Sequence, residues 1–382
     1  MIYLDYASTT PVSKKIFRSI KPYFFEIFAN PSSIHRFGQK ALRAVDESRM
    51  LIKNLIEADY FNEIIFTASA TEGNNLIIKG LSFLYYYNLK IKPHIITTEI
   101  EHPSVIEPLK DLKKLNLVDY DFLPIDNNGL VDCNAISKIV KNNSCLISVH
   151  YVNSELGIIQ PIKKISQIIR EINKNRNLKI YFHTDASQAP LTEDISVKSL
   201  GVDFMTISSH KIYGPKGIAC IYKRGNIILE RLISGSEQEF ELRGGTENVP
   251  LIVGFAKALE IAINEQEKTK NYLNKIRNYF IDKLKSSKIN FEINSKLELS
   301  TPKIINIYFP QKTSQEILIY LDQNNIFVSA GMACKSRAIL PNEVVLKIYP
   351  KRAKNSLRFS FGKETTKKQL DFVVEKLKKF LK

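Results

Sequence analysis

The chain has 382 residues, of which 44% are hydrophobic and 25% are charged, and its 55 basic and 39 acidic residues give a net charge of +16. One hydrophobic core rarely serves so long a chain, so we expect two structural lobes, and the balanced composition excludes a disordered or fibrous protein. The positive charge invites a nucleic-acid interpretation. The lysines are scattered, however, often beside isoleucine and asparagine as in residues 138–143. We therefore interpret the charge as a compositional bias of a solvated surface and do not predict direct nucleic-acid binding.

The cysteines and the N-terminus indicate a cellular compartment. Four cysteines without paired spacing are too few for a disulfide framework, which predicts a reducing environment and a cytoplasmic protein. The chain begins Met1-Ile2-Tyr3-Leu4-Asp5, a strand-like pattern with an early acid that lacks the basic and apolar regions of a secretory signal. No apolar stretch is long enough to span a bilayer, so we predict no membrane association.

Apolar runs typical of buried strands alternate with segments of helical period. This order predicts an α/β protein whose mainly parallel sheet is covered by helices. The predicted strands are Glu63–Thr67, His94–Thr98, Leu117–Leu123, Ser144–Tyr151, Lys179–Thr184, Asp203–Ser208 and Ile218–Tyr222. The predicted helices are Gly38–Glu57, Thr71–Leu84, Val105–Leu115, Cys133–Lys141 and Ile162–Asn173.

A charged helical stretch from Leu251 to about Lys288 breaks this rhythm, and a region of mixed strands and helices follows it. We place the domain boundary within the stretch. The predicted large domain spans residues 14–258. The predicted small domain combines residues 1–13 with 259–382, because we expect the N-terminal strand to pack with the C-terminal lobe.

An acid and a lysine follow two of the predicted strands. Asp185 comes directly after the strand Lys179–Thr184, and Lys211 comes shortly after Asp203–Ser208. Ligands of open α/β sheets bind at the carboxyl ends of the strands. An acid that pairs with a ring nitrogen and a lysine that forms an imine are what pyridoxal phosphate requires. Each residue alone also fits a plainer role, Asp185 as a helix cap or turn former and Lys211 as a solvated loop residue.

A phosphate site is predicted where the first strand of the sheet leads into a helix. The small residues 68–70 allow close approach, and the free N–H groups and the dipole of a helix start favour an anion. The hydroxyls of Thr71 and Ser208, together with His210, complete the predicted shell. The alternative is that Thr71 only caps the helix, with Glu72 in its first turn.

Ordered motifs run along nearly the whole chain. They are Tyr3–Pro11, Asn30–Gly38, Ala70–Glu72, Glu101–His102, Asp185–Gln188, Ser208–Gly217, Arg243–Thr246, Ser329–Cys334 and Leu357–Gly362. Together they resemble the cysteine desulfurases of the NifS/IscS group in the class V aminotransferase family. The resemblance implies the pyridoxal-phosphate-dependent transferase fold type I, with a large mainly parallel-sheet domain and a smaller α+β domain.

The resemblance also implies roles around the ring of the cofactor, pyridoxal 5'-phosphate. Lys211 would form the Schiff base, Asp185 would pair with the pyridine nitrogen, and Gln188 would donate a hydrogen bond to the phenolic oxygen. His102 would stack on the ring and assist proton transfer, although a histidine before a proline also fits a turn.

Further residues would hold the phosphate group of the cofactor. By resemblance these are Ala70, Thr71, Ser208 and His210. Thr246 would reach the phosphate from a second subunit, which implies a homodimer.

The implied substrate is L-cysteine. Arg358 would bind its carboxylate through a planar two-pronged contact that a lysine does not reproduce. Asn153 belongs to the implied substrate site. Ser154 stands where the family carries a second asparagine near the cofactor. We expect the Ser154 hydroxyl, Asn153 or a water to substitute, with lower activity or an altered substrate preference.

The four cysteines divide by their surroundings. Cys145 and Cys220 lie in apolar strands and are predicted to be buried and inert. Cys133 lies in a polar turn and is predicted to be exposed, without a basic neighbour that would lower its pKa. Cys334 precedes the basic segment 335–337, which favours the thiolate, and it falls where the family carries its persulfide-forming cysteine.

The resulting hypothesis is a cysteine desulfurase that converts L-cysteine to L-alanine and holds the sulfane sulfur as a persulfide on Cys334. An iron-sulfur scaffold or another sulfur-acceptor protein would receive it for cluster assembly, tRNA thiolation or both. No intrinsic metal site is predicted, and the only metal role considered is a transient iron-sulfur cluster that Cys334 shares with a scaffold. The alternatives are another class V enzyme, such as a selenocysteine lyase or an aminotransferase, and a basic binding platform with a degenerate site.

Overall fold

The structure is a computed structural model that describes residues 1–294, 296–331 and 342–382. Within these ranges the strands form three sheets. The strands are Ile2–Tyr3 (β1), Ile64–Thr67 (β2), His94–Thr97 (β3), Asp119–Phe122 (β4), Ser144–Ser148 (β5), Tyr181–Asp185 (β6), Phe204–Ser208 (β7), Ala219–Lys223 (β8), Glu292–Ile293 (β9), Ile304–Tyr308 (β10), Ile326–Phe327 (β11) and Ser356–Ser360 (β12).

The largest sheet has the strand order β2-β8-β7-β6-β5-β3-β4. Strands β3 to β7 run parallel, whereas β8 is antiparallel to both β2 and β7. The expected mainly parallel sheet is therefore confirmed. Every predicted strand of this sheet is present, with ends that differ by a few residues, as is usual for element boundaries.

Helices connect and cover the strands, and none in the described ranges is long and apolar enough to cross a membrane. The helices are Lys14–Ile20 (α1), Pro22–Phe25 (α2), Arg36–Leu55 (α3), Ala70–Phe83 (α4), Pro103–Lys114 (α5), Ile136–Ile139 (α6), Ile162–Asn173 (α7), Val197–Leu200 (α8), Val249–Asn264 (α9), Gln266–Ser286 (α10), Ser314–Gln323 (α11), Glu343–Ile348 (α12) and Lys367–Leu381 (α13).

Two helix predictions differ from the structure. The stretch from Leu251 to about Lys288 is two helices, α9 and α10, which meet at Glu265. They separate because α9 packs into the core beside the large sheet and α10 packs into a second core. The predicted helix Cys133–Lys141 is a 3₁₀ turn followed by the short α6, because Val140 already has extended backbone leading toward β5.

Alternate residues of the sheet strands face opposite layers. In β2, Ile64 and Phe66 belong to the core formed with α3 and α9, whereas Ile65 belongs to the core formed with α4 and α5. Helices thus cover both faces of the large sheet. The carboxyl ends of its parallel strands remain as the edge where a ligand binds in such folds.

A second group of elements packs around a separate core. Strands β12, β10 and β9 form an antiparallel sheet, and β1 pairs in parallel with β11. At its centre the rings of Phe280 and Phe359 lie 5.2 Å apart. The pairing of β1 with β11 confirms that the N-terminal strand packs with C-terminal elements. The division of the chain into residues 14–258 and the remainder stays a proposal.

A buried ion pair ties a strained turn to the edge of the large sheet. Two guanidinium nitrogens of Arg49 in α3 each lie 2.8 Å from a carboxylate oxygen of Glu239. The same carboxylate accepts the backbone N–H of Phe66 at 2.7 Å. Residues 239–241 have φ angles of 49°, 57° and 66°, the left-handed region that costs a residue with a side chain about 1 kcal/mol or more. The ion pair and the hydrogen bond offset that cost.

We expect Arg49→Met to lower the free energy of unfolding by about 3–5 kcal/mol, because the Glu239 carboxylate then stays buried without a counterion. Chemical denaturation at neutral pH measures the change. Lys198→Met is the matched control, since it removes an ion pair with Asp59 that lies in solvent and therefore contributes little. Equal losses in the two variants would contradict a special role for the buried pair.

Candidate active site

Asp185 and Lys211 lie together at one edge of the large sheet. Asp185 is the last residue of β6, and Lys211 closes the 3₁₀ turn that directly follows β7. Asp185 pairs in register with Thr206 of β7, so the two strands end side by side. The fold therefore gathers an acid and an amine at the place where the sequence predicts a ligand.

The Lys211 amine is bound by the N-terminal segment. Its Nζ donates to the carbonyl oxygens of Ala7 at 2.6 Å and of Ser8 at 2.7 Å. Burial and the charge of Arg358 lower the pKa of Lys211 to about 8, against the opposite effect of Asp185. The neutral amine, the form that acts as a nucleophile or base, is therefore accessible close to neutral pH.

The Asp185 carboxylate is buried and accepts two hydrogen bonds. Its Oδ2 accepts from Asn74 Nδ2 at 2.8 Å, and its Oδ1 accepts from the backbone N–H of Ser187 at 2.9 Å. Burial alone would raise the pKa of Asp185, but these hydrogen bonds lower it below its ordinary value. The group is consequently a carboxylate at neutral pH.

Asn74 is a site residue that the sequence analysis missed. From the middle of α4 its Nδ2 also donates to Ser104 Oγ at 2.8 Å, and Ser104 Oγ lies 2.8 Å from His102 Nδ1. A hydrogen-bonded chain therefore links the predicted ring partner Asp185 with the predicted stacking residue His102. The available signal was an asparagine on the buried face of a helix, where this residue type is unfavourable unless it has polar partners.

His102 caps the N-terminus of α5. Its Nδ1 accepts the backbone N–H of Ser104 at 3.1 Å, which assigns the ring proton to Nε2 in the neutral form. The surrounding protein desolvates the ring and lowers the pKa of His102, although part of the side chain is exposed to solvent. His102 is thus a neutral ring that is partly exposed to solvent.

The predicted phosphate residues at 70 and 71 form the first turn of α4. Ser69 caps this helix, since its Oγ accepts the backbone N–H of Glu72 at 3.1 Å, so the alternative role of Thr71 as the cap is wrong. The Thr71 side chain is exposed. A Cβ on Gly73 would lie 2.6 Å from a methyl group of Ile221, so the glycine lets the turn lie close against the sheet.

Two further predicted phosphate residues follow β7. Ser208 is buried at its last position. His210 Nδ1 lies 3.1 Å from Thr9 Oγ1. Burial, with the charge of Lys211, lowers the pKa of His210 to about 4, so the ring is neutral and its remaining nitrogen is available to a ligand.

Thr246 is not gathered with the other predicted residues. It is exposed and lines a separate surface cavity with Phe28, Asn30 and Asn248. Its predicted contact across a subunit interface stays a prediction.

Gln188 lies between two groups that fix the direction of its carboxamide. Its Nε2 donates to the carbonyl oxygen of Ala7 at 2.8 Å, and its Oε1 accepts from Lys303 Nζ at 3.0 Å. Lys303 is a second residue that the sequence analysis missed. Its signal was a lysine directly before the apolar strand β10.

Arg358, on the central residue of β12, is bound by two carboxylates. Its Nη1 donates to Glu155 at 2.7 Å and to the carbonyl oxygen of Ser154 at 3.0 Å. Its Nη2 donates to Asp5 at 2.8 Å and to the Ser8 hydroxyl at 2.7 Å. The four terminal N–H groups are thereby engaged, so any further acceptor at these groups would have to replace one of those present.

The predicted substrate residue Asn153 is engaged within its own turn. Its Oδ1 accepts the N–H groups of Glu155 and Leu156 at 2.9 and 2.8 Å, and its Nδ2 donates to the carbonyl oxygen of Ile100 at 3.1 Å. Asn153 therefore shapes the loop that presents Ser154. The Ser154 side chain is partly exposed.

Cys334 lies outside the described residues, but both ends of the segment that carries it reach the Arg358 neighbourhood. On one side, Ser329 exchanges both backbone hydrogen bonds with Arg358, at 2.7 and 3.2 Å. On the other side, the Asn342 carboxamide donates to Glu155.

The remaining cysteines are buried, so the predicted exposure of Cys133 is wrong, and burial raises its pKa. Its side chain packs into the core beneath the polar turn.

Comparisons of sequence and structure agree on one family. The Aminotransferase class-V family matches residues 2–373. Cysteine desulfurase IscS of Dictyoglomus turgidum is 39% identical over 382 residues, which cover 100% of this chain and 94% of that protein. Putative cysteine desulfurase IscS 1 of Bacillus subtilis is 36% identical, over 97% of this chain and 95% of that protein.

Solved structures show the same architecture. A NifS-like protein superposes with a TM-score of 0.91 at 30% identity, covering 100% of this chain and 99% of that chain. SspA in complex with cysteine superposes with a TM-score of 0.81 at 34% identity, covering 94% of this chain and 99% of that chain. The expected fold class is confirmed.

We expect Asn74→Ala to lower the free energy of unfolding by about 1–3 kcal/mol at neutral pH, because the buried Asp185 carboxylate loses a donor. The depressed pKa of Asp185 contributes stability above its ordinary pKa, and this contribution is lost as the pH falls. The difference from the unmodified chain should therefore shrink below about pH 4. Denaturation at several pH values measures it. Asn75→Ala is the control, since Asn75 bonds only a carbonyl of its own helix among the described contacts, and a matching pH dependence there would contradict the assignment.

Proposed function

This chain belongs to the class V aminotransferase family and, within it, to the cysteine desulfurases, and we propose that it converts L-cysteine to L-alanine with pyridoxal phosphate as its cofactor. The sulfur would be held as a persulfide on Cys334. The observation that carries the proposal is the position of a buried, ionised Asp185 and of a Lys211 amine of lowered pKa at adjacent strand ends. Buried groups with shifted pKa values that lie at a ligand-binding edge are candidates for a functional site.

The residues at the site fit pyridoxal phosphate. Asp185 offers a carboxylate for a protonated ring nitrogen, His102 offers a neutral ring for stacking, and Lys211 offers an amine for covalent attachment. Asn74 Oδ1 is buried without a partner among the described residues, so a polar atom beside Asp185 remains unsatisfied by the protein itself. When bound, the cofactor supplies an electron sink for the substrate Cα.

The first turn of α4 supports a phosphate contact. Backbone N–H groups at Ala70 and Thr71, the dipole of a 14-residue helix and the hydroxyls of Thr71 and Ser208 suit a phosphate anion. Neutral His210 would add a hydrogen bond. Thr246 of a second subunit would complete this shell, so we propose a homodimer.

Lys211 would move the proton in the reaction. Once substrate occupies the site, the freed amine would take the proton from the substrate Cα and return it elsewhere on the molecule. A pKa of about 8 suits this exchange, because both forms of the amine are accessible near neutral pH. Asp185, held ionised by Asn74 and Ser187, would keep the ring nitrogen protonated.

Arg358 would bind the substrate carboxylate. The incoming anion would take over donors that now contact Ser8 or the Ser154 carbonyl, while Asp5 and Glu155 keep the guanidinium in plane. Substrate binding would thereby be an exchange of acceptors on a preoriented guanidinium, with little cost in side-chain entropy.

Cys334 would be the sulfur acceptor. Cys334 follows Gly331, the last described residue before it, by three positions in the sequence. Its thiolate would form a bond with the substrate sulfur while the carbon–sulfur bond breaks and its electron pair stays on carbon. Protonation of that carbon yields alanine, and the persulfide passes to an acceptor such as an iron-sulfur scaffold or a tRNA-thiolation partner.

The predicted cytoplasmic location of the protein stays a prediction.

The colour of the purified protein tests the role of Lys211. The purified full-length protein should show the yellow absorbance of a cofactor joined covalently to a lysine, and Lys211→Ala should lose it. Lys216→Ala, which changes an exposed lysine of the same loop, should retain it. A yellow Lys211→Ala protein would refute the assignment of the amine.

The location of the transferred sulfur tests the role of Cys334. After incubation with L-cysteine, mass spectrometry should find the added sulfur on Cys334, and Cys334→Ser should abolish alanine release while keeping the cofactor. Cys133→Ser is the control and should stay active, because that thiol is buried. Sulfur mapped to Cys133, or alanine release without Cys334, would overturn the mechanism in favour of another class V reaction.

A further inference from the structure

Lys303 is a buried lysine without an ion pair among the described residues. Only about 1% of the residue is exposed, and it ranks with phenylalanines among the largest fully buried side chains. Its Nζ donates to Gln188 Oε1 at 3.0 Å and approaches the backbone carbonyl of Lys211 at 3.4 Å. Both acceptors are uncharged oxygens of residues at the proposed active site.

Burying an ammonium without a carboxylate is costly, and an apolar side chain of similar volume would avoid that cost. This cost is reflected in a lowered pKa of Lys303. Burial first, and then the charges of Lys211 and Arg358, lower its pKa to about 7. A buried ionisable group next to a reactive amine is a candidate for function.

The geometry indicates that Lys303 orients the carboxamide of Gln188. An ammonium only donates hydrogen bonds and a backbone carbonyl only accepts them. Lys303 therefore holds the oxygen of the Gln188 carboxamide, and the Ala7 carbonyl holds its nitrogen at 2.8 Å. The two partners exclude the flipped orientation, and the second amide hydrogen of Gln188 has no acceptor among the described contacts.

We propose that Lys303 is a positioning residue that fixes the Gln188 carboxamide as a hydrogen-bond donor to the cofactor and places a positive charge beside Lys211. The inference rests on the proposed function and adds a residue to it. Lys303 acts through Gln188 and Lys211 and does not itself touch the reacting atoms.

The charges around Lys303 set its pH dependence. Lys211 faces it from the turn after β7, and Arg358 faces it from β12. The carboxylates of Asp5 and Glu155 are bonded to Arg358, and Asp185 is bonded to Asn74 and Ser187. With a pKa of about 7, Lys303 would be charged below that pH and neutral above it, so we expect an inflection of the catalytic pH profile there.

Three variants of the full-length, cofactor-loaded protein test the role. Lys303→Met removes the charge and the donor, whereas Lys303→Gln keeps an N–H donor without the charge. Lys223→Met is the control, since Lys223 is a partly buried lysine of lowered pKa whose described hydrogen bonds go to carbonyl oxygens, at the far end of β8 from the site. Alanine release is measured as kcat and KM across pH.

Lys303→Met should lower kcat about tenfold with KM within about twofold, because Gln188 loses one of the two contacts that orient it while Arg358 is untouched. Lys303→Gln should recover part of kcat. Both variants should lack the inflection near pH 7, and Lys223→Met should keep kcat and the inflection.

Thermal melting gives a readout independent of activity. The pKa of Lys303 is lower in the folded chain than in the unfolded chain, so the unfolded state binds an extra proton between about pH 7 and 10 and stability rises with pH in that window. The rise should be shallower in both Lys303 variants.

An unmodified chain without alanine release would refute the proposed function and this role with it. An active chain whose Lys303→Met variant keeps kcat and the inflection overturns the role of Lys303 alone, and Lys303→Gln decides the same question if Lys303→Met does not fold.

Discussion

The pairing of Arg358 with Asp5 and Glu155 holds the site together. One guanidinium on β12 binds the segment after β1 through Asp5 and the loop after β5 through Glu155. Asn342 in turn donates to Glu155. Three parts of the chain that are distant in sequence therefore meet on one planar group. Its fork geometry fits two carboxylates at once, which a lysine ammonium does not reproduce.

Among the residues that the structure describes, the basic and acidic groups around Arg358 are equal in number. Lys211, Lys303 and Arg358 bring three basic groups into a small volume, and Asp5, Glu155 and Asp185 bring three acidic ones. Each acid is tied by hydrogen bonds to a partner other than Lys211. Burial is the main cause of the lowered pKa of Lys211, and the nearby guanidinium of Arg358 adds to it because no carboxylate among the described residues contacts the amine directly.

Sequence reasoning predicted the large sheet well because most of its strands lie in apolar runs of the length expected for strands that are buried on both faces. It also brought Asp185 and Lys211 to one edge, since parallel strands share the position of their carboxyl ends. It missed Asn74 and Lys303, whose importance arises from partners 111 and 115 positions away along the chain. No local pattern carries such a pairing. The break between α9 and α10 was missed for a related reason, because helical period does not reveal which core a helix joins.

The pairing of the first residues with the last ones bears on how the protein folds during synthesis. The residues before Thr9 supply the acceptors for Lys211 and the carboxylate for Arg358, and the latter contact joins positions 353 apart. Loop closure over such a separation comes late, after local elements have formed. A ribosome must therefore release nearly the whole chain before the site exists, so a nascent chain paused after β8 would hold a nearly finished sheet and no working active site. Synthesis itself thus delays the assembly of these contacts until the strand that carries Arg358 has been made.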